Sequence, residues 1–144
     1  MFKTILVAAD GSDHAAAAVA AAAEMAAQSD ADLHLIHVPE VQVTAIAVGA
    51  AAVTIPVNEE ETQDAAKEVL SAAEAQAGAT GATVVSSEIR QGDPAEAILA
   101  RAREVGADLL VLGRRGRGTL KGLLLGSVSQ KLSALADSAV LTVK

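Results

Sequence analysis

"ADLLVLGRRGRGTLKGLLLGSVSQKL", residues 107–132, decides the fold. It opens with "ADLLVLG" (Ala107–Gly113), a fully apolar run that predicts a buried, central strand. The segment Gly113–Ser127 then carries five glycines and four cations. "SVSQKLSALADS" predicts a closing helix, with Ser127 and Gln130 spaced as a capping box. Glycine admits positive φ and lets a ligand approach the backbone closely. A helix start offers free N–H groups to an anion, and arginine and lysine favour anions. A run of charge alone is ordinarily a solvated loop; the interleaved glycines argue for a phosphate cradle.

Working outward, the same alternation repeats. "KTILVAA" (Lys3–Ala9) is a β-branched run that ends at "DGS" and reads as a buried strand and a turn. Ser12 is placed to cap the alanine-rich helix that follows. "ADLHLIHV" (Ala31–Val38) is a second strand, closed by Pro39. A helix begins near Asn58, with acids in its first turn, and ends near Gly78. "ATVVSSEIR" (Ala82–Arg90) alternates in part, as an edge strand does. In "GDPAEAILARAREVGA", Asp93 caps, Pro94 takes the first helical position, Glu96 completes a box-like pattern and Gly106 ends the helix. "AVLTVK" is the last strand. Residues Glu40–Asn58 are apolar and small, with Gly49 and Pro56 as breakers; they predict a loop with a short helix, or an excursion covering a cleft.

Strands alternating with helices imply an α/β domain with a parallel sheet and right-handed crossovers. A chain of 144 residues without an internal repeat is expected to form one domain over 1–144. Hydrophobic residues make up 51% and aromatics 1%, which excludes disorder and leaves the core to Val, Leu, Ile and Ala. There is no cysteine, hence no disulfide, thiolate metal site or cysteine nucleophile. The net charge of −7 disfavours broad binding to nucleic acid or anionic membrane. The first apolar run is too short to span a membrane and lacks a signal-peptide cleavage pattern, so a soluble, cytoplasmic protein is expected.

In doubly wound sheets, ligands bind beyond the carboxyl ends of the strands. Two such ends carry polar or glycine chemistry: "ADGS" after the first strand and the glycine loop after the fourth. If those strands are neighbours, Asp10 and Gly113 face one crevice. The loop is not a Walker A motif, because Thr119 stands where lysine is required after Gly113 and Gly118. It is not GxGxxG either, because Lys121 replaces the third glycine. Gly113, Gly116, Gly126 and Ser127 do give G-x2-G-x9-G-S.

That pattern resembles the nucleotide-binding motif of universal stress proteins. "ILVAADGS", "LHLIHV", "GDPAEAILARAREVGADLLVLGRRGRG" and "LKGLLLGSVSQKL" are similar to successive segments of that family, so the resemblance covers the chain apart from Glu40–Asn58. Ser138-Ala139 departs from the Cys-Pro pair that many members carry before the last strand.

The resemblance implies a five-stranded parallel sheet in the order 3-2-1-4-5, with helices on both faces. It implies ATP, or another adenine nucleotide, as ligand. Ala8 and Asp10 would line the nucleoside and Val38 would contact adenine. Gly113 and Gly116, with Arg114 and Arg115 beside them, would let the loop close on ribose and phosphates. Gly126, Ser127, Val128 and Ser129 would hold phosphate oxygens. Mg²⁺ is able to assist through water and phosphate oxygens without a protein cage. The resemblance also points to a homodimer, and the apolar, β-branched edge Ser138–Lys144 invites that pairing.

No general base is recognisable for phosphate hydrolysis, and Ser, His and Asp residues lack a nucleophile-elbow context. The expected role is therefore a nucleotide-binding regulator, not an enzyme. An interaction module of the same fold that binds no nucleotide and acts through protein partners is the alternative. A weak ATPase or autokinase is a third reading, without a catalytic constellation of its own. His14, His34 and His37 read as structural. The last two are three apart on a strand and point to opposite faces, without an acid-rich ligand set.

Overall fold

The computed structural model describes residues 1–40, 43–49, 51–56, 58–117 and 125–144. Five parallel strands form the main sheet: β1 (Thr4–Ala8), β2 (Asp32–His37), β5 (Val84–Ile89), β6 (Leu109–Gly113) and β7 (Ala139–Val143). Their order is β5-β2-β1-β6-β7. Numbered among themselves in chain order, these five strands stand in the expected order 3-2-1-4-5, which sets β1 directly beside β6 with Ala8 level with Leu112. The strands of the sheet centre are apolar because both faces are covered.

The two faces hold two cores. Ile5, Val7, Leu33, Leu35, Leu109 and Val111 pack under α1 (Asp13–Ser29) and α2 (Glu59–Ala79). Leu6, Ile36, Leu110 and Leu112 pack under α3 (Pro94–Val105) and α4 (Ser127–Leu135). With Phe2 as the one aromatic packed against this core, α1 buries Ala15, Ala18, Ala22, Ala23 and Ala26 and lies close against the sheet. Gly113 makes a close approach to α1. A Cβ there would stand 2.8 Å from the backbone N of Ala15 and 2.8 Å from the carbonyl carbon of His14.

Three helix starts follow the sequence reading. Ser12 Oγ accepts from the Ala15 N–H at 3.2 Å. Asn58 Oδ1 accepts from Glu60 at 3.2 Å, and Asp93 Oδ1 accepts from Glu96 at 2.9 Å. The Glu96 N–H, and then Lys131, hold the Asp93 carboxyl below its ordinary range. The Glu96 side chain turns to Lys131, so the pattern at α3 is a cap without the reciprocal half of a box.

Two expectations are corrected. Within Glu40–Asn58 the described residues form an antiparallel hairpin, β3 (Val43–Val48) and β4 (Ala51–Pro56), rather than a loop with a short helix. β-branched residues favour extended chain, and Gly49, at φ +64°, turns it between the paired residues Val48 and Ala51. At α4 the cap is Gly126, not Ser127, and no side chain caps the helix.

Candidate functional site

The carboxyl ends of β1, β2 and β6 open into a cavity of about 520 Å³, roofed on one side by α2 and closed on the other by α3 and the start of α4. Asp10 lines it. Asp10 Oδ1 accepts from the Ser12 N–H at 2.8 Å. This local bond is the Asx turn that "DG" invites, and Gly11 takes the positive φ of +80° it requires. Its second oxygen faces the glycine loop, 2.7 Å from where a Cβ on Gly116 would lie. Arg117 answers from the loop: its guanidinium is 3.4 Å from the Cβ position of Gly11. The turn after β1 and the loop after β6 thus interlock across the crevice.

Free backbone donors and cations gather at the β6 end. The Gly126 N–H donates to the Arg114 carbonyl at 2.9 Å, and the Arg114 N–H donates to the Val143 carbonyl at 2.6 Å. These two bonds fix where α4 begins. Ser127, Val128 and Ser129 occupy its first turn, whose N–H groups have no acceptor inside the helix. With no side-chain cap, that turn presents donors and the positive dipole end to the cavity. Ser129 is buried, and its Oγ donates to the Gly113 carbonyl at 2.8 Å. Its side chain therefore ties α4 to β6, leaving its N–H for a ligand.

The opposite end is different. Val38 and Pro39 follow β2, and Ala65, Ala66 and Val69 of α2 form an apolar wall, with Glu40, Glu61 and Thr62 at the rim. The cavity is thus polarised, apolar and acidic on the β2 side and donor-rich and cationic on the β6 side. This suits a ligand with a flat apolar body and an anionic tail.

All the residues expected at the site line the cavity except Arg114. Arg114 serves through its peptide groups, as described. Lys121 lies outside the described residues. The contributions of α2, of Pro94 and Ile98 on α3, and of His37 were not anticipated. His37, structural by its sequence pattern, is buried with Nδ1 bonded to the Ala9 carbonyl at 2.6 Å; it also lines the cavity. Burial pushes its pKa down, against the carbonyl bond. His34 lies away from the cavity, bonded to Ser86 at 2.7 Å. Among the described residues, no three His, Cys, Asp or Glu side chains converge as a metal site.

The model of the universal stress protein family matches residues 1–144. The chain belongs to the universal stress protein family. It is 36% identical, over 152 residues and 100% of both chains, to the universal stress protein YxiE of Bacillus subtilis. Among solved universal stress proteins it resembles one in complex with cAMP, with a TM-score of 0.74 and 29% identity, covering 99% of this chain and 97% of that one. It also resembles one from Archaeoglobus fulgidus in complex with dAMP, with a TM-score of 0.68 and 26% identity, covering 99% of this chain and 98% of that one. Among the described residues no helix is long and apolar enough to cross a membrane.

Proposed function

We propose that this universal stress protein binds an adenine nucleotide, ATP above all, in the crevice between β1 and β6 and holds it as a regulatory ligand. The observation that carries the reading is the uncapped first turn of α4 at the wall of a cavity whose far side is apolar. The base would lie against Val38 and the α2 wall. Phosphates would take the N–H groups of Ser127, Val128 and Ser129, with Arg115 and Arg117 offsetting their charge. The cAMP and dAMP complexes of related chains support an adenine ligand. ATP would bring Mg²⁺ held by its own phosphate oxygens and water.

The role is proposed as binding rather than turnover, because among the described residues no carboxylate or histidine hydrogen-bonds the first turn of α4, where the phosphates would lie. The protein would act in the cytoplasm as one domain, and as a homodimer paired along β7, an edge of the sheet. The test is a melting series with ATP, AMP and GTP. A ligand about 100-fold above its dissociation constant adds roughly 2.7 kcal/mol, a rise of about 5–10 °C for a domain of this size. ATP should raise melting more than AMP, and GTP least. No shift with any nucleotide would favour the protein-interaction module instead, and release of phosphate at about one turnover per second or faster would make the protein an enzyme.

A further inference from the structure

We infer that His37 is a ligand-reading residue of this cavity, its Nε2 accepting a hydrogen bond from an O–H or N–H donor of the bound nucleoside. The inference rests on the adenine-nucleotide reading and goes beyond it by assigning the recognition of a donor group to one atom.

The tautomer follows from the partner. His37 Nδ1 lies 2.6 Å from the Ala9 carbonyl oxygen, which only accepts, so Nδ1 carries the hydrogen. In a neutral ring Nε2 is then a lone-pair acceptor. The surroundings keep the ring neutral: burial disfavours the cation, and Asp10 and Arg117 act on it in opposite directions. Nε2 takes no hydrogen bond among the described residues, and it is not one of the sealed side-chain atoms left without a partner. His37 is one of the residues lining the cavity, and that is where its open nitrogen is inferred to meet the donor.

The position is as specific as the protonation. Ala9 is clamped to β2 from both sides of its own residue: its N–H donates to the Ile36 carbonyl at 2.9 Å, and its carbonyl accepts from His37. The next residue is Asp10. His37 thereby presents an acceptor beside the Asp10 carboxylate on a rigid strand end. An adenine nucleotide carries donors of the right kind on the ribose and on the exocyclic amine; guanine places an acceptor where adenine has that amine.

The test uses the full chain at pH 7.5 and calorimetric affinities for AMP and its 2′-deoxy, 3′-deoxy and N6,N6-dimethyl analogues. His37→Asn is the informative variant, because the Asn amide reaches the Nδ1 position and keeps a donor for Ala9 while nothing remains at Nε2. On the native protein one analogue should bind about five- to tenfold more weakly than AMP, the effect of one hydrogen bond. On His37→Asn, AMP itself should weaken by that factor and the analogue should lose nothing further. The ¹⁵N resonance of His37 Nε2 should move when AMP is added to the native protein.

Equal affinity of all four ligands for the native protein overturns the inference without recourse to a variant. So does an analogue penalty that persists unchanged in a folded His37→Asn. Absence of any AMP binding by the native protein would remove the nucleotide reading itself, a result distinct from either of these.

Discussion

Gly113→Ala and Gly126→Ala make the same chemical change at two glycines of one motif, and the structure separates them. At Gly113 the new Cβ would lie 2.8 Å from the Ala15 backbone N and 2.9 Å from the His14 Cβ. Ordinary contact begins near 3.4 Å, so the first turn of α1 has to retreat by about 0.6 Å. The obstacle is helix backbone, which cannot swing aside, and the same helix carries Ala18, Ala22 and Ala26 against the sheet. Overpacking of this kind costs about 1–3 kcal/mol. The loss of unfolded-state freedom on replacing glycine offsets about 0.4–1 kcal/mol of it. The net expectation is a destabilisation of about 1–2 kcal/mol, or roughly 3–8 °C in Tm. At Gly126 the backbone is at φ −67° and ψ 159°, open to any residue, and the nearest atom to a Cβ is 3.5 Å away. Gly126→Ala should keep its stability or gain up to about 1 kcal/mol. Urea unfolding of the two variants side by side, with unchanged m-values, measures the difference. Equal stability of the two would refute the claim that Gly113 is a packing glycine.

Gly116→Ala places a Cβ 2.7 Å from Asp10 Oδ2, which gives way only by straining the Oδ1 bond to the Ser12 N–H; stability should fall by about 0.5–1.5 kcal/mol while AMP affinity falls about tenfold, as calorimetry would show. His34 has its pKa lowered from 6.5, by burial first and then by Arg101. The unfolded chain therefore binds the extra proton first, so stability should fall as pH drops below 6.5; in urea titrations at pH 7.5 and 5.5, His34→Asn should show a shallower loss than the native protein. Light scattering at micromolar concentration should give twice the chain mass, and a monomer mass would count against pairing along β7.

Much of this molecule is legible locally. Asp93-Pro94, Ser12 and Asn58 announce helices because each places an oxygen near free N–H groups a few residues on, a relation contained in the sequence. The apolar runs announce strands, and the glycine spacing announces the cavity. The hairpin was harder. Val43–Pro56 is small and apolar, and its pairing depends on a single turn at Gly49. Ser127 misled because a serine before a helix usually caps it. Here the chain reaches the helix through Gly126, held by the Arg114 carbonyl. The roles of His37 and Val69 depend on how α2 and β2 meet around the crevice, a tertiary fact that no local spacing encodes.

The bond from the Gly126 N–H to the Arg114 carbonyl closes a ring of chain. The chain between those two residues leaves from the end of β6 and returns to the start of α4 at points already joined by that bond. The entropy of such a closure grows only with the logarithm of its length, and doubling the loop costs about 0.6 kcal/mol. Residues added or removed between Gly116 and Gly126 should therefore leave the main sheet and the start of α4 in place. What the spacing of nine sets is therefore the length of that closure, not the frame that carries it.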